Sequence, residues 1–75
     1  MKKLSELKAG QKAIVANIAG DPSTRRRIMD MGIIPRSKIT MIRSAPLGDP
    51  LEFDIKDYNL TLRKRDADLV LVEME

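Results

Sequence analysis

DPSTRRRIMDMGIIP, residues 21–35, is the stretch that organises the chain, because it predicts one short helix with a marked beginning and end. Asp21 is a good N-cap, since its carboxylate can accept the free N–H groups of the first turn. Pro22 suits the first helical position, where a backbone N–H is not needed. Gly32 favours the left-handed conformation that commonly ends a helix. We therefore expect one basic helix over residues 22–31.

The rest of the chain predicts short strands joined by tight connections. Residues 51–56 and 60–63 alternate apolar and polar side chains and predict a hairpin with its turn at 57–59. In the first strand, we expect Ile14, Ala16 and Ile18 to share one face. Five short strands without long free edges favour a mainly β, SH3-like, partly open barrel of one domain over residues 1–75, with the short helix inserted. The remaining predicted elements are strands at 12–18, 38–43 and 69–72 and single helical turns at 4–8 and 65–68.

The composition argues against several classes of function. The chain has 75 residues with no cysteine and no histidine, which removes the usual transition-metal ligands and the commonest general base. It has no glycine-rich phosphate loop and no calcium-loop spacing of acids. We therefore expect no enzyme, no catalytic residue, no metal site and no cofactor. The N-terminus lacks the apolar stretch of a signal peptide and no run is long enough to span a bilayer, so a cytoplasmic location is expected.

Two runs of cations stand out against a net charge of +3, at residues 25–27 and 63–65. Arg25 and Arg26 suit either a solvated helix face or a binding surface, and these two interpretations stay open. Arg27 adjoins the apolar middle of the helix, so we expect it to reach an acid or a carbonyl, as a structural residue more than a binding one. A nucleic-acid-binding barrel is the main alternative function, but Tyr58 is the only aromatic ring expected at the surface, which is a poor stacking platform.

The loop at residues 45–51 carries Pro46 and a second proline, which stiffen its backbone and lower the entropy lost on docking. Leu47 lies at its tip and could contact another protein or fold back over the open end of the barrel. Methionines such as those at 29, 31 and 41 belong more often to the core than to a binding surface, and the exposure of one or two of them would change that interpretation.

The chain resembles the ferrous iron transport protein A family, FeoA, over nearly its whole length. The segments that carry the resemblance are Leu4-Ser5-Glu6-Leu7 with Gly10, Ala13 to Ile18 with Gly20, Arg27 to Ile33 with Pro35, Ala45 to Pro50, and Leu62-Arg63-Lys64 with Ala67. The family usually has glycine where this chain has Arg36. Since a type II turn needs positive φ at that position, we expect either a type I turn or a strained residue.

The resemblance implies an SH3-like cytosolic protein that binds and tunes FeoB, the membrane protein that joins a GTPase to a permease for ferrous iron. It would meet the membrane only through that partner, with no nucleic acid bound. Starting at Met1, with no helix-turn-helix, the chain is expected to stand alone instead of forming the C-terminal domain of an iron-dependent repressor. Weak self-association through a barrel edge is a further alternative. The residues assigned to the partner surface are Arg25, Arg26, Arg27, Met31, Pro46, Leu47 and Asp49.

Overall fold

A computed structural model describes all 75 residues as one antiparallel sheet of six strands, curled into an SH3-like open barrel. The strands are Lys2–Lys3 (β1), Lys12–Ile18 (β2), Lys38–Ser44 (β3), Leu51–Ile55 (β4), Tyr58–Leu62 (β5) and Val70–Met74 (β6). Their order across the sheet is β1-β6-β2-β3-β4-β5. The predicted fold class is confirmed. The strand absent from the sequence prediction is β1, whose two residues are too few to show any periodicity.

Three short helical segments connect the strands. A 3₁₀ turn spans Leu4–Glu6, α1 spans Pro22–Asp30 between β2 and β3, and α2 spans Lys64–Ala67 between β5 and β6. Neither α-helix has the length or the apolar character that crossing a membrane requires.

The predicted ends of α1 are confirmed to within one residue. The Asp21 carboxylate accepts a hydrogen bond from the Thr24 backbone N–H at 3.2 Å, and Pro22 is the first helical residue. Gly32 has a φ of 102°, the left-handed conformation expected after the last turn. Along its nine residues α1 buries one side chain, that of Ile28. The apolar contact between α1 and the barrel therefore depends on this single, fully buried side chain.

The prediction that Ile14, Ala16 and Ile18 share one face of β2 was wrong. Ala13, Val15 and Ile18 are buried, whereas Ile14 and Ala16 are only half-buried. The pairing of β2 with β6 shifts register between Val15 and Asn17. Such a bulge adds one residue to the strand and reverses the alternation of faces beyond it, so that Val15 and Ile18 point the same way.

The hairpin of β4 and β5 is confirmed, but its turn lies earlier than predicted. Lys56 and Asp57 form a two-residue turn with φ of 45° and 71°, so Tyr58 opens β5 instead of lying in the turn. Positive φ at both central residues is the type I′ arrangement that matches the twist of a hairpin. Sixteen apolar side chains fill the barrel, and Phe53 is the largest of those with no solvent exposure.

Candidate partner-binding surface

The outer face of α1 exposes the cations that the sequence singles out. Arg25 and Arg26 lie in solvent beside Met29, and these side chains line a shallow groove of about 300 Å³. Met31, at the end of the helix, is 37% exposed. The expectation that Met29 and Met31 belong to the core was therefore wrong, and it holds only for Met41, which is 4% exposed. Because α1 buries only Ile28, its methionines remain at the surface.

Arg27 makes the contact with an acid that was expected of it. One of its guanidinium NH2 groups donates to Asp66 Oδ1 of α2 at 2.8 Å, and the Asp66 side chain is only 12% exposed. The pair joins two elements that are 39 residues apart in sequence. Arg27 is thus engaged within the chain, and Arg25 and Arg26 are the two free cations of the run.

Tyr58 binds the C-terminal end of α1, a contact that the sequence did not suggest. Its hydroxyl donates to the backbone carbonyl of Met31 at 2.8 Å. A Cβ added at Gly32 would lie 1.7 Å from this hydroxyl oxygen, far inside contact distance. Glycine is therefore favoured at position 32 for two reasons: its φ is positive, and the Tyr58 hydroxyl occupies the space that a Cβ would need. Nothing in the sequence around Tyr58 indicates that its hydroxyl binds a backbone carbonyl 27 residues away.

The loop that follows β3 is held by its own backbone. Gly48 N–H donates to the Ala45 carbonyl at 2.7 Å, and Ala45 N–H donates to the Pro50 carbonyl at 2.9 Å. These bonds place Pro46 and Leu47 at the centre of a β-turn. The Leu47 side chain is 97% exposed, so of its two interpretations the one in which it folds back over the barrel is wrong.

Asp49 fixes the base of the same loop to α2. Its Oδ1 accepts a hydrogen bond from the Lys64 backbone N–H at 2.9 Å, at the first residue of that helix. Since Asp66 of α2 binds Arg27, a helix of four residues holds both α1 and the loop. The contact gives Asp49 a positioning role. The structure thus connects α1 and the loop after β3, the two regions assigned to the partner surface, through α2. No residue of α2 was assigned to that surface.

Arg36 occupies the turn that follows α1 in a strained conformation. Ser37 N–H donates to the Ile34 carbonyl at 3.1 Å, and Arg36 has a φ of 76°. Pro35 and Arg36 are the central residues, so the turn has type II character and places an arginine where glycine is favoured. Of the two expected outcomes, the strained residue is confirmed.

The electrostatics of the site come from unpaired cations. No side-chain hydrogen bond or ion pair is formed by Arg25, Arg26 or the cations of residues 63–65. No three acidic side chains lie together as a cation site would require. The Thr24 hydrogen bonds hold the pKa of Asp21 below its usual value, which keeps the N-cap ionised. This arrangement leaves Arg25, Arg26 and the three cations of residues 63–65 in solvent without a side-chain partner.

The chain is thus a small SH3-like open barrel that leaves an apolar turn and several cations in solvent. The family model of the FeoA domain matches residues 2–74. The chain belongs to the FeoA family, as its sequence resemblance predicted.

Relatives and structures of higher identity carry FeoA names. It is 40% identical over 72 residues to a protein of Porphyromonas gingivalis named as a fusion of Fe(2+) transport protein A and the Fe(2+) transporter FeoB. That match covers 96% of this chain and 8% of the fusion protein. A FeoA-like protein from Clostridium acetobutylicum is 38% identical with a TM-score of 0.90, over 97% of this chain and 85% of that one.

More distant structures share the fold. Stenotrophomonas maltophilia FeoA, described as a prokaryotic SH3 domain protein and solved with zinc, is 25% identical with a TM-score of 0.82, over 97% of this chain and 91% of that one. A manganese-dependent transcriptional repressor superposes with a TM-score of 0.91 at 20% identity, over 99% of this chain and 36% of the repressor. The second likeness is one of fold alone.

Proposed function

We propose that this chain is an accessory protein of ferrous iron uptake that binds a FeoB-type transporter on its cytosolic side and modulates it. The observation that carries the proposal is the exposed turn of Leu47, whose base is bound by Asp49 to α2, the same helix that binds Arg27 of α1. The Porphyromonas gingivalis relative, in which an FeoA segment and FeoB are one protein, supports the choice of partner.

Leu47 and Pro46 would supply the apolar contact. A leucine side chain that is 97% exposed adds no hydrophobic stabilisation to the fold. Its burial against a partner would contribute about 1.5–3 kcal/mol to the free energy of binding. The turn is fixed before binding by three hydrogen bonds at its base and across its tip, so little conformational entropy is lost on docking.

Arg25 and Arg26 would attract an acidic surface of the partner, and Met31 would pack against it. Exposed cations of this kind raise the rate of association more than they slow dissociation. Arg27 and Asp49, whose polar groups are engaged within the chain, would act by positioning α1 and the loop.

The test is calorimetric titration of the chain into the FeoB-type transporter of the same organism in nanodiscs. Leu47→Asp should weaken binding by tenfold or more, since a charge replaces a buried apolar contact, while the melting temperature stays unchanged. Met74→Asp is the matched control, because Met74 is also exposed but lies on β6, which β2 separates from β3 in the sheet. Equal losses in both variants would contradict the assignment of the surface.

The same titration with a GTP analogue and with GDP separates two forms of modulation. Affinity that depends on the nucleotide would indicate a regulator coupled to GTP hydrolysis, and equal affinity would indicate an assembly factor. Absence of binding in every nucleotide state would overturn the proposal.

A further inference from the structure

The two edges of the sheet differ in how well they are protected against pairing with another strand. One edge is β1, which has two residues, both lysine, and short lysine-bearing edges discourage strand addition. The other edge is β5, which has five residues with no charge and no proline, and its register with β4 is unbroken. Only the β5 edge lacks the usual protection.

The hairpin geometry shows which backbone groups of β5 are free. Ile55 and Tyr58 flank a two-residue turn and so form a hydrogen-bonded pair, after which bonded and non-bonded pairs alternate. Asn59 and Thr61 therefore point their backbone N–H and C=O groups away from β4. No backbone hydrogen bond to a turn, loop or cap involves residues 58–62, so these four groups have no partner in the chain.

A cluster of cations lies at the C-terminal end of this edge. Arg63, Lys64 and Arg65 follow β5 directly, all three are exposed, and none of their side chains pairs with an acid. We propose that the β5 edge binds an extended acidic segment of another protein. The segment adds a strand beside Asn59 and Thr61 and places its carboxylates against residues 63–65.

The charge pattern selects this occupant over a second copy of the chain. The chain carries a net charge of +3, so two copies repel weakly, whereas an acidic segment is attracted by the three unpaired cations. The cations adjoin the base of the Leu47 loop through the bond of Lys64 N–H to Asp49. Strand addition uses other groups, the backbone of Asn59 and Thr61, and its test with a peptide does not depend on the proposed function.

The probe is an eight-residue peptide that begins with three glutamates and continues with alternating valine and threonine. Paired antiparallel, like the other strands of the sheet, it places its acidic end at residues 63–65. Titrated to about 2 mM into isotope-labelled protein, it should shift and protect the backbone amides of Asn59 and Thr61, with weak affinity typical of a short flexible peptide. A peptide with N-methyl groups on consecutive amides throughout its length has no N–H to donate from either edge, so it cannot pair as a strand and is the control that leaves the protein unchanged.

Two further comparisons test the charge. Arg63→Glu/Arg65→Glu should weaken binding by roughly tenfold, whereas Lys2→Glu/Lys3→Glu at the opposite edge makes the same change in net charge and should have a much smaller effect. Three results would overturn the proposal: no amide shifts at β5, equal binding of the N-methylated peptide, or equal binding of a peptide that begins with three lysines. Shifts at β5 that grow with protein concentration without peptide would assign the edge to a second copy instead.

Discussion

Helix α1 and the loop at 45–50 both project from the barrel, but they are held in different ways. The helix depends on side chains of remote residues, namely the pair of Arg27 with Asp66 and the Tyr58 hydroxyl on the Met31 carbonyl. The loop is closed largely by its own backbone bonds, with Asp49 as its only side-chain anchor to α2. Single substitutions should therefore displace the helix more easily than the loop.

The largest effect on stability is expected from alanine substitution of the glycine that ends α1, compared with the same substitution in the loop at 45–50. Gly32→Ala should destabilise the protein by about 3 kcal/mol, because a methyl group meets the Tyr58 hydroxyl, breaks its hydrogen bond and is also strained at positive φ. Gly48→Ala has a similar φ but nothing within 4 Å, so it should cost only about 1 kcal/mol. Urea unfolding of both variants measures the difference. Equal costs would show that Tyr58 does not constrain the end of α1.

A smaller effect is expected from the polar contact of α1 with α2. Arg27→Ala should destabilise the protein by about 1.5 kcal/mol, because the mostly buried Asp66 carboxylate loses its partner, although the solvent exposure of Arg27 weakens the pair. Arg25→Ala removes a neighbouring arginine without a partner and should change the free energy of unfolding by less than about 0.5 kcal/mol. Chemical denaturation measures the free energy of unfolding of both variants. Equal losses of stability would contradict the anchoring role of Arg27.

Arg36→Gly should stabilise the protein by about 0.7 kcal/mol. The turn after α1 holds an arginine at a φ of 76°, whereas the loop at 45–50 has glycine at its positive-φ position. Glycine removes the strain but adds entropy to the unfolded chain, so the net gain is modest. Thermal melts show the sign, and a loss of stability would mean that the Arg36 side chain contributes a contact that outweighs its strain.

The smallest effect concerns the pH dependence of the α1 N-cap. Hydrogen bonds from Thr24 lower the pKa of Asp21 below its ordinary value of 3.8 in the folded state. The contribution of the cap to stability is therefore complete above that value, and it is lost as the pH falls through the lower pKa of the folded state.

Asp21→Asn keeps a cap that does not titrate. We expect the variant and the parent to melt alike near pH 6, and the parent to fall below the variant in stability under strongly acidic conditions. Melting curves that change in parallel across this range would show that Asp21 does not contribute to the acid dependence.

The features predicted well from the sequence are those that neighbouring residues determine. The cap and first residue of α1, the glycine that follows it and the β4–β5 hairpin all depend on interactions within a few positions along the chain. The predicted face of β2 was wrong because the bulge after Val15 belongs to its pairing with β6, more than 50 residues away. The two surface methionines were misplaced because periodicity does not show how little of α1 is covered.

By itself, then, the sequence determined the position of α1, the alternating strands, the two runs of cations and membership of the FeoA family. Only the tertiary structure decided that Arg27 binds Asp66, that Asp49 anchors the loop to α2 and that Leu47 is left in solvent. It also decided that β5 is a free edge, a property of strand order and not of the strand's own residues. The physical reason is the distance along the chain over which each interaction acts. Caps and turns are stabilised by adjacent residues, whereas burial and ion pairing depend on segments that meet only when the barrel closes.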